Sequence, residues 1–225
     1  MKIFSMLLTV LLAASTLVYA ETEPTGKQPS SDAFNPNGFY TFRPDLRKCV
    51  SPLCGGIFVK EVNRKQTRCA DGSLQQECYV ATVINKQAFD ITEAALVQGK
   101  LLPKNYPGFG NLGEFVLTSA ARSVTDKTVT WRFVGLENNG IVCITTPCFS
   151  VDEYSLNSVK IKEISEIDLE SVGANKEDLQ QAQDIIAGGG VLLAAGINEQ
   201  VQQQTGLGVK FVAEQFYLPI KPLTN

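Results

Sequence analysis

The chain has 225 residues, among them six cysteines and no histidine, with 20 basic and 23 acidic side chains for a net charge of −3. Without histidine, every Ser-His-Asp or Cys-His arrangement is excluded, together with the commonest general base near neutral pH. A net acidic balance argues against nucleic acid as a partner, and an apolar content of 44 % is ordinary for a globular chain.

The first twenty residues place Lys2 ahead of an apolar run from Ile3 to Val18 and end on Val18-Tyr19-Ala20 before Glu21. This is the pattern of a cleavable secretory signal cut after Ala20. An uncleaved membrane anchor, the alternative, needs roughly 20 apolar residues and interfacial anchors, whereas Ser5, Ser15 and Thr16 dilute this stretch. No later segment reaches a spanning length, so the mature chain is expected to be soluble, secreted or periplasmic, with no membrane span. Residues 21 to 37 are rich in Pro, Ser, Thr and Asn and hold one large apolar side chain, Phe34. They bury too little to offset ordering entropy and read as a disordered leader.

From residue 38 onward, β-branched and aromatic runs predict strands over 39–42, 57–62, 78–84, 96–102 and 115–120. A similar order follows over 128–136, 151–156, 159–169, 190–197 and 209–218. Before the fourth strand of the second half, Asn175-Lys176-Glu177-Asp178 supplies an N-cap and an acidic first turn, with Gly188 as the stop, so a helix is expected there. Asp90-Ile91-Thr92-Glu93 reads as a capping box in the first half. Gly188-Gly189-Gly190 follows the helix and is read as a terminating turn, since phosphate cradles precede a helix.

The two series are related by an internal repeat. Cys49-Val-Ser-Pro-Leu-Cys54 and Cys143-Ile-Thr-Thr-Pro-Cys148 share a spacing and a loop proline at an offset of 94 residues, and Val62-Asn63 matches Leu156-Asn157 at the same offset. Phe39 to Phe42 is matched with Thr130 to Phe133, Ala95 to Gly99 with Leu193 to Gly196, and Phe115-Val116 with Phe211-Val212. Two repeats follow, residues 38–126 and 127–225. Six cysteines in an exported chain are most simply three disulfides; a zinc site would need C-x2-C pairs or histidine, both lacking here. If each repeat is self-contained, Cys49 pairs with Cys54, Cys143 with Cys148, and Cys69 with Cys78 across the turn Ala70-Asp71-Gly72-Ser73.

Three strands, a helix and two strands is the order of the five-stranded Greek-key barrel known as the OB-fold. The expected class is therefore all-β with minor α, as two tandem small OB-like barrels, the competing architecture being one larger sandwich or barrel shared by both halves. With Arg43-Pro44-Asp45-Leu46-Arg47-Lys48-Cys49, Pro52-Leu53-Cys54-Gly55-Gly56 and Cys69-Ala70-Asp71-Gly72 in view, the chain resembles an uncharacterised family of exported bacterial proteins classed as a domain of unknown function. That resemblance implies no activity, ligand or catalytic residue. A looser architectural likeness is to netrin-type OB-like modules, whose cysteine arrangement this chain lacks.

No catalytic residue, metal ligand or cofactor site is identified. Asp152-Glu153 is the nearest candidate carboxylate pair, but neighbours on a strand face opposite ways, and the pair reads as solvated surface charge. The candidate binding residues are Arg43, Arg47, Lys48, Ser51, Pro52 and Leu53 at the first cysteine loop, Thr145, Thr146 and Pro147 at the second, and Tyr106 and Phe109 between the fourth and fifth strands. Over residues 43 to 68, seven basic side chains face only Asp45 and Glu61, an excess that either attracts an anionic partner or packs against the acidic second half. The expected function is a non-enzymatic binding or structural module of the bacterial envelope, partnered by a protein or an anionic envelope component, the alternatives being a protease inhibitor acting through a cysteine loop and an enzyme of unfamiliar chemistry. Intact-mass measurement on protein secreted by its native host should show residues 1 to 20 removed; persistence of Met1 would refute the signal.

Overall fold

Residues 37–223 are described in a computed structural model of the chain. The expected signal, and the expected leader apart from Asn37, lie outside the described residues. Twelve strands make one continuous sheet. In the first half these are β1 (Gly38–Pro44), β2 (Ile57–Glu61), β3 (Cys78–Val80), β4 (Thr82–Ile84), β5 (Ala94–Leu102) and β6 (Glu114–Ser123). In the second they are β7 (Arg132–Asn138), β8 (Val151–Ser155), β9 (Ile161–Ile164), β10 (Glu166–Asp168), β11 (Leu192–Gln203) and β12 (Gly206–Pro219). Two small hairpins stand apart, Thr67–Arg68 with Leu74–Gln75 and Asn105–Tyr106 with Gly110–Asn111.

The chain is thus mostly β with a single α-helix among the described residues, α1 (Lys176–Ala187). Its start follows the sequence signal: the Asn175 side chain accepts from the Asp178 amide at 2.8 Å, satisfying a donor that the helix cannot. Its end falls on Gly188, and Gly189 takes the left-handed backbone that glycine tolerates best. The Asp90 segment, by contrast, forms no helix. Asp90 Oδ1 accepts from the amide and hydroxyl of Thr92, a local turn that leads within two residues into β5 and leaves no length for a helix.

Pairing runs β9-β8-β7-β11-β12-β6-β5-β1-β2-β3, with β4 parallel to β6 and β10 parallel to β12. The path has two free ends, so the expected closed barrels are not formed. The reason is local: the expected third strand of each half is broken, at Ala81 and at Ser165, and its two parts pair with different partners. At the second break the Ser165 hydroxyl donates to the Val209 carbonyl and accepts from the Val209 amide, each at 3.0 Å.

One apolar cluster fills the first half around Val59, Val80, Val97 and Phe115, and another the second half around Val134, Leu136, Leu192, Phe211 and Phe216. A third joins Val62, Leu96 and Ala121 to Leu156, Ala195 and Tyr217, and so belongs to both halves. Along its edge the ends of β6 and β12 pair antiparallel from Ala121–Pro219 to Ser123–Tyr217. Arg122 reaches the carboxylate of Asp178 at 2.5 Å. Beyond β12 the chain crosses to the first half, where the Ile220 amide donates to the Ala120 carbonyl and the Leu223 amide to the Ala88 carbonyl.

Over the shared cluster, two asparagines are exchanged. Asn63 and Asn157 both have left-handed backbones, with φ of 60° and 58°, a region Asn enters more readily than most residues. Asn63 Nδ2 donates to the carbonyls of Phe133 at 2.7 Å and Leu156 at 3.0 Å, while its Oδ1 accepts from the Phe133 amide at 2.8 Å. Asn157 returns the same three bonds, donating to Phe39 at 2.8 Å and Val62 at 3.0 Å and accepting from Phe39 at 2.8 Å. The register this fixes sets Phe39 against Phe133, at the offset of 94 residues that relates the cysteines. The expected match of Phe42 with Phe133 is therefore displaced by three residues, because aromatic content alone aligned two strands that backbone bonding aligns differently.

Replacing Asn63 or Asn157 by Ala should lower stability by about 1–2 kcal/mol, three exposed or half-buried hydrogen bonds being lost at roughly 0.5–1.5 kcal/mol each and less than additively. Asn63→Gly keeps the left-handed backbone and isolates the hydrogen-bond loss. Urea unfolding of each variant checks this, and unchanged midpoints would show that the exchange contributes nothing.

Candidate functional site: two disulfide-closed loops

The cysteines pair locally as Cys49–Cys54, Cys69–Cys78 and Cys143–Cys148. Two of these bonds close equivalent loops. Residues 45–56 join β1 to β2 beyond the Pro44–Ile57 pair, and residues 139–150 join β7 to β8 beyond the Asn138–Val151 pair. Each loop therefore sits at the opposite end of its hairpin from the asparagine exchange.

The first loop is braced from within. Asp45, whose side chain is fully buried, accepts from the Arg47 amide at 3.0 Å, from Nε at 2.8 Å and from Nη2 at 2.9 Å. The same guanidinium donates to the Leu53 carbonyl at 3.0 Å and lies 5.1 Å and 5.0 Å above the Phe58 and Tyr79 rings. A fork with several donors and a stacking face suits this position, where a lysine would not. Tyr79 donates its hydroxyl proton to the Pro52 carbonyl at 2.7 Å. Arg43 stacks over Phe58 at 4.1 Å and pairs with Glu77. Arg43 and Arg47 therefore have identified partners within the first half, while Lys48, Ser51 and Leu53 lie on the exposed tip beside Val50 and Leu46, the last 83 % exposed.

The second loop is anchored by the β11–β12 turn. The Thr146 carbonyl accepts from the Thr205 amide at 2.9 Å and from its hydroxyl at 2.6 Å. Asn139 Oδ1 accepts from the Ile141 amide at 3.0 Å, and Asn139 Nδ2 donates to the Phe149 carbonyl at 3.1 Å. Thr145 is exposed and Pro147 half-buried. Outward from these anchors point Ile141, Val142 and Ile144, with Val142 93 % exposed. Each loop thus holds a braced interior and an apolar tip.

Tyr106 and Phe109 lie between β5 and β6, as the sequence order requires. The Tyr106 hydroxyl is 2.6 Å from Thr82 Oγ1, and Phe109 is exposed at the turn. Asn111 ties this small hairpin to the Cys69–Cys78 turn through the Ala70 carbonyl at 2.8 Å.

Glu153 corrects the reading of Asp152-Glu153 as solvated charge. Strand alternation turns Glu153 inward with Val151, where it is 1 % exposed and pairs with Arg132 at 2.5 Å. Asp152 faces the other way and accepts from Asn139 at 3.1 Å. Burial, reinforced by the neighbouring Glu137, raises the pKa of the Tyr154 hydroxyl. Among the described residues no three His, Cys, Asp or Glu side chains gather as a metal site, and no helix is long and apolar enough to cross a membrane.

A family model for a domain of unknown function, DUF6748, matches residues 38–223. The chain belongs to that family. No curated protein and no solved structure matches it. The DUF6748 region takes in both disulfide loops and both exchanged asparagines. Sequence reading did not single out Trp131, the only tryptophan, or the cleft it borders. Their neighbours come from strands nearly seventy residues away, which no local pattern displays.

Asp45 gives the first loop a pH signature. Hydrogen bonds from Arg47 hold its carboxylate down from 3.8 to about 2. A group depressed on folding favours the folded loop fully above its unfolded pKa and loses that effect as pH falls through the folded one. The Arg47 amide resonance should therefore titrate with a midpoint near pH 2 and move upward in Arg47→Lys. A wild-type midpoint at the ordinary carboxylate value would show that the brace is not held.

Proposed function

We propose that this chain is an exported bacterial envelope module that binds a protein partner through its two disulfide-closed loops and carries out no catalysis. The observation that carries the reading is the pair of apolar tips, Leu46, Val50 and Leu53 on one loop and Ile141, Val142 and Ile144 on the other, all exposed on backbones that are already braced. Exposed apolar groups clustered on one loop mark a recognition surface, and a loop ordered in advance loses little entropy on binding. Export is supported by the three disulfides, which persist in oxidising compartments, and by the signal pattern of residues 1 to 20.

The same reading treats the chain as a tandem repeat of two OB-like units, each open at one seam. In its support, β1 lies between β2 and β5, β5 is followed by β6, and β4 runs parallel to β6; β7 to β12 repeat those relations. The seams are the breaks at Ala81 and Ser165. The netrin-type likeness rests on this same OB-like architecture and is part of the reading. A closed loop with an exposed Leu53 also suits a protease inhibitor, which is the second reading.

Immobilised wild-type protein should retain a specific partner from native envelope extract, whereas Leu53→Asp and Val142→Asp, checked for unchanged unfolding midpoints, should retain at least about tenfold less, the loss of one good apolar anchor. Equal retention by both variants sinks the proposal. Inhibition of a secreted protease at micromolar wild-type protein, abolished by Leu53→Asp, would move the function to the inhibitor reading.

A further inference from the structure

Where the halves meet, a cleft of about 460 Å³ is lined from β2 and the turn after it by Lys60, Glu61, Arg64 and Lys65, and from the segment leading into β7 by Thr130 and Trp131. Its size falls within the roughly 300–1,000 Å³ of small-molecule sites. Trp131 is 53 % exposed, although its backbone is held firmly. Glu214 accepts from the Thr130 amide at 2.8 Å and the Trp131 amide at 3.3 Å, and two residues on Asn63 clamps Phe133. An immobile backbone thus presents a large flat side chain to solvent, although Phe133, two residues along, shows that an aromatic ring here can be packed away against Tyr217.

The charges beside it are not neutralised by the second half. Among the described residues, no carboxylate comes within ion-pair distance of Lys60 or Lys65. Arg64 pairs within its own half with Glu61 at 3.6 Å, and donates one hydrogen bond to the Asn157 carbonyl at 2.6 Å. The alternative in which the basic segment is spent on the acidic half therefore does not account for these two lysines. Glu61 itself is half-buried, and burial raises its pKa.

We infer that this cleft binds an acidic glycan, with the C–H face of a sugar ring on Trp131 and its carboxylate on Lys60 and Lys65. A flat indole offers apolar area to a ring and nothing to a bare anion. Lysines supply the sequence-tolerant attraction for a carboxylate. Glu61 and the Thr130 hydroxyl oxygen can accept from sugar hydroxyls, whereas two unpaired lysines are too few for a polyphosphate or nucleic acid backbone, which needs several cations in succession. The site is separate from the loop tips, so it stands or falls independently of the partner proposed above.

Trp131 is the only tryptophan, so its emission reports this site directly. Oligogalacturonate titrated into the full mature chain should change that emission saturably, with binding that weakens as salt rises, while a neutral oligoglucoside should leave it unchanged. Lys60→Glu with Lys65→Glu should weaken the oligogalacturonate response by at least about tenfold at an unchanged unfolding midpoint, and Leu53→Asp should not alter it. Calorimetry on wild-type and Trp131→Ala provides a second reading, with weaker binding expected in the variant. The inference is overturned by no binding of oligogalacturonate in either measurement, by equal binding of the neutral sugar, by indifference to the lysine reversals, or by tighter binding of inorganic polyphosphate or a single-stranded oligonucleotide.

Discussion

The rest of the molecule depends on the exchange of Asn63 and Asn157. Each side chain satisfies the backbone of the other half, reading both the N–H and the C=O of a phenylalanine, Phe133 in one direction and Phe39 in the other. Those phenylalanines stand at the entry to the first strand of their half, so each half sets the starting register of its partner. Six hydrogen bonds to main-chain groups would be wasted if the halves were parted, and the groups they serve would have to find water. Beneath them lies the shared cluster of Val62, Leu96, Leu156 and Tyr217, drawn from both halves. The contact has a polar surface layer that fixes register and an apolar layer that gives it area.

From that contact the two halves extend in a common pattern and differ in how each is finished. The second half is covered by α1, whose first turn holds Asp178 against Arg122 of the first half. The first half has no helix there; Phe89 and Ile91 pack inward and the chain's last described residues come across to meet them. Gly99 of β5 and Gly196 of β11 share one task. A Cβ at either would meet first the backbone carbonyl of Val116 or Val212 on the paired strand and then the Phe115 ring at 2.6 Å or the Phe211 ring at 2.8 Å, so both positions allow a close backbone approach with a buried phenylalanine beside it.

Much of this was legible in the sequence, and the parts that were not have a physical pattern. Local signals succeeded: the Asn175 cap and Gly188 stop bound the helix, the cysteines joined their neighbours in the chain, and the β-branched runs became strands. What depends on distant residues was hidden. Val62-Asn63 and Leu156-Asn157 could be matched, yet nothing in either pair tells that its side chain crosses to the other half. Glu153 looked like surface charge because its partner Arg132 lies twenty-one residues away on β7, and the aromatic run before Phe133 suggested a register that the backbone bonds do not adopt. The cleft beside Trp131 was invisible for the same reason, being assembled from the ends of two strands that only the inter-half contact brings together.

The crossing of the C-terminal segment has a consequence for the order in which the chain can mature. A polypeptide emerges and folds from its N-terminus, and the first half would ordinarily be finished before the second was made. Here Ala88 and Ala120 wait for the amides of Leu223 and Ile220, and Phe39 and Val62 wait for Asn157. The earliest-made portion of the domain therefore lacks these protein partners until residue 223 has arrived, and its backbone is served by water until then.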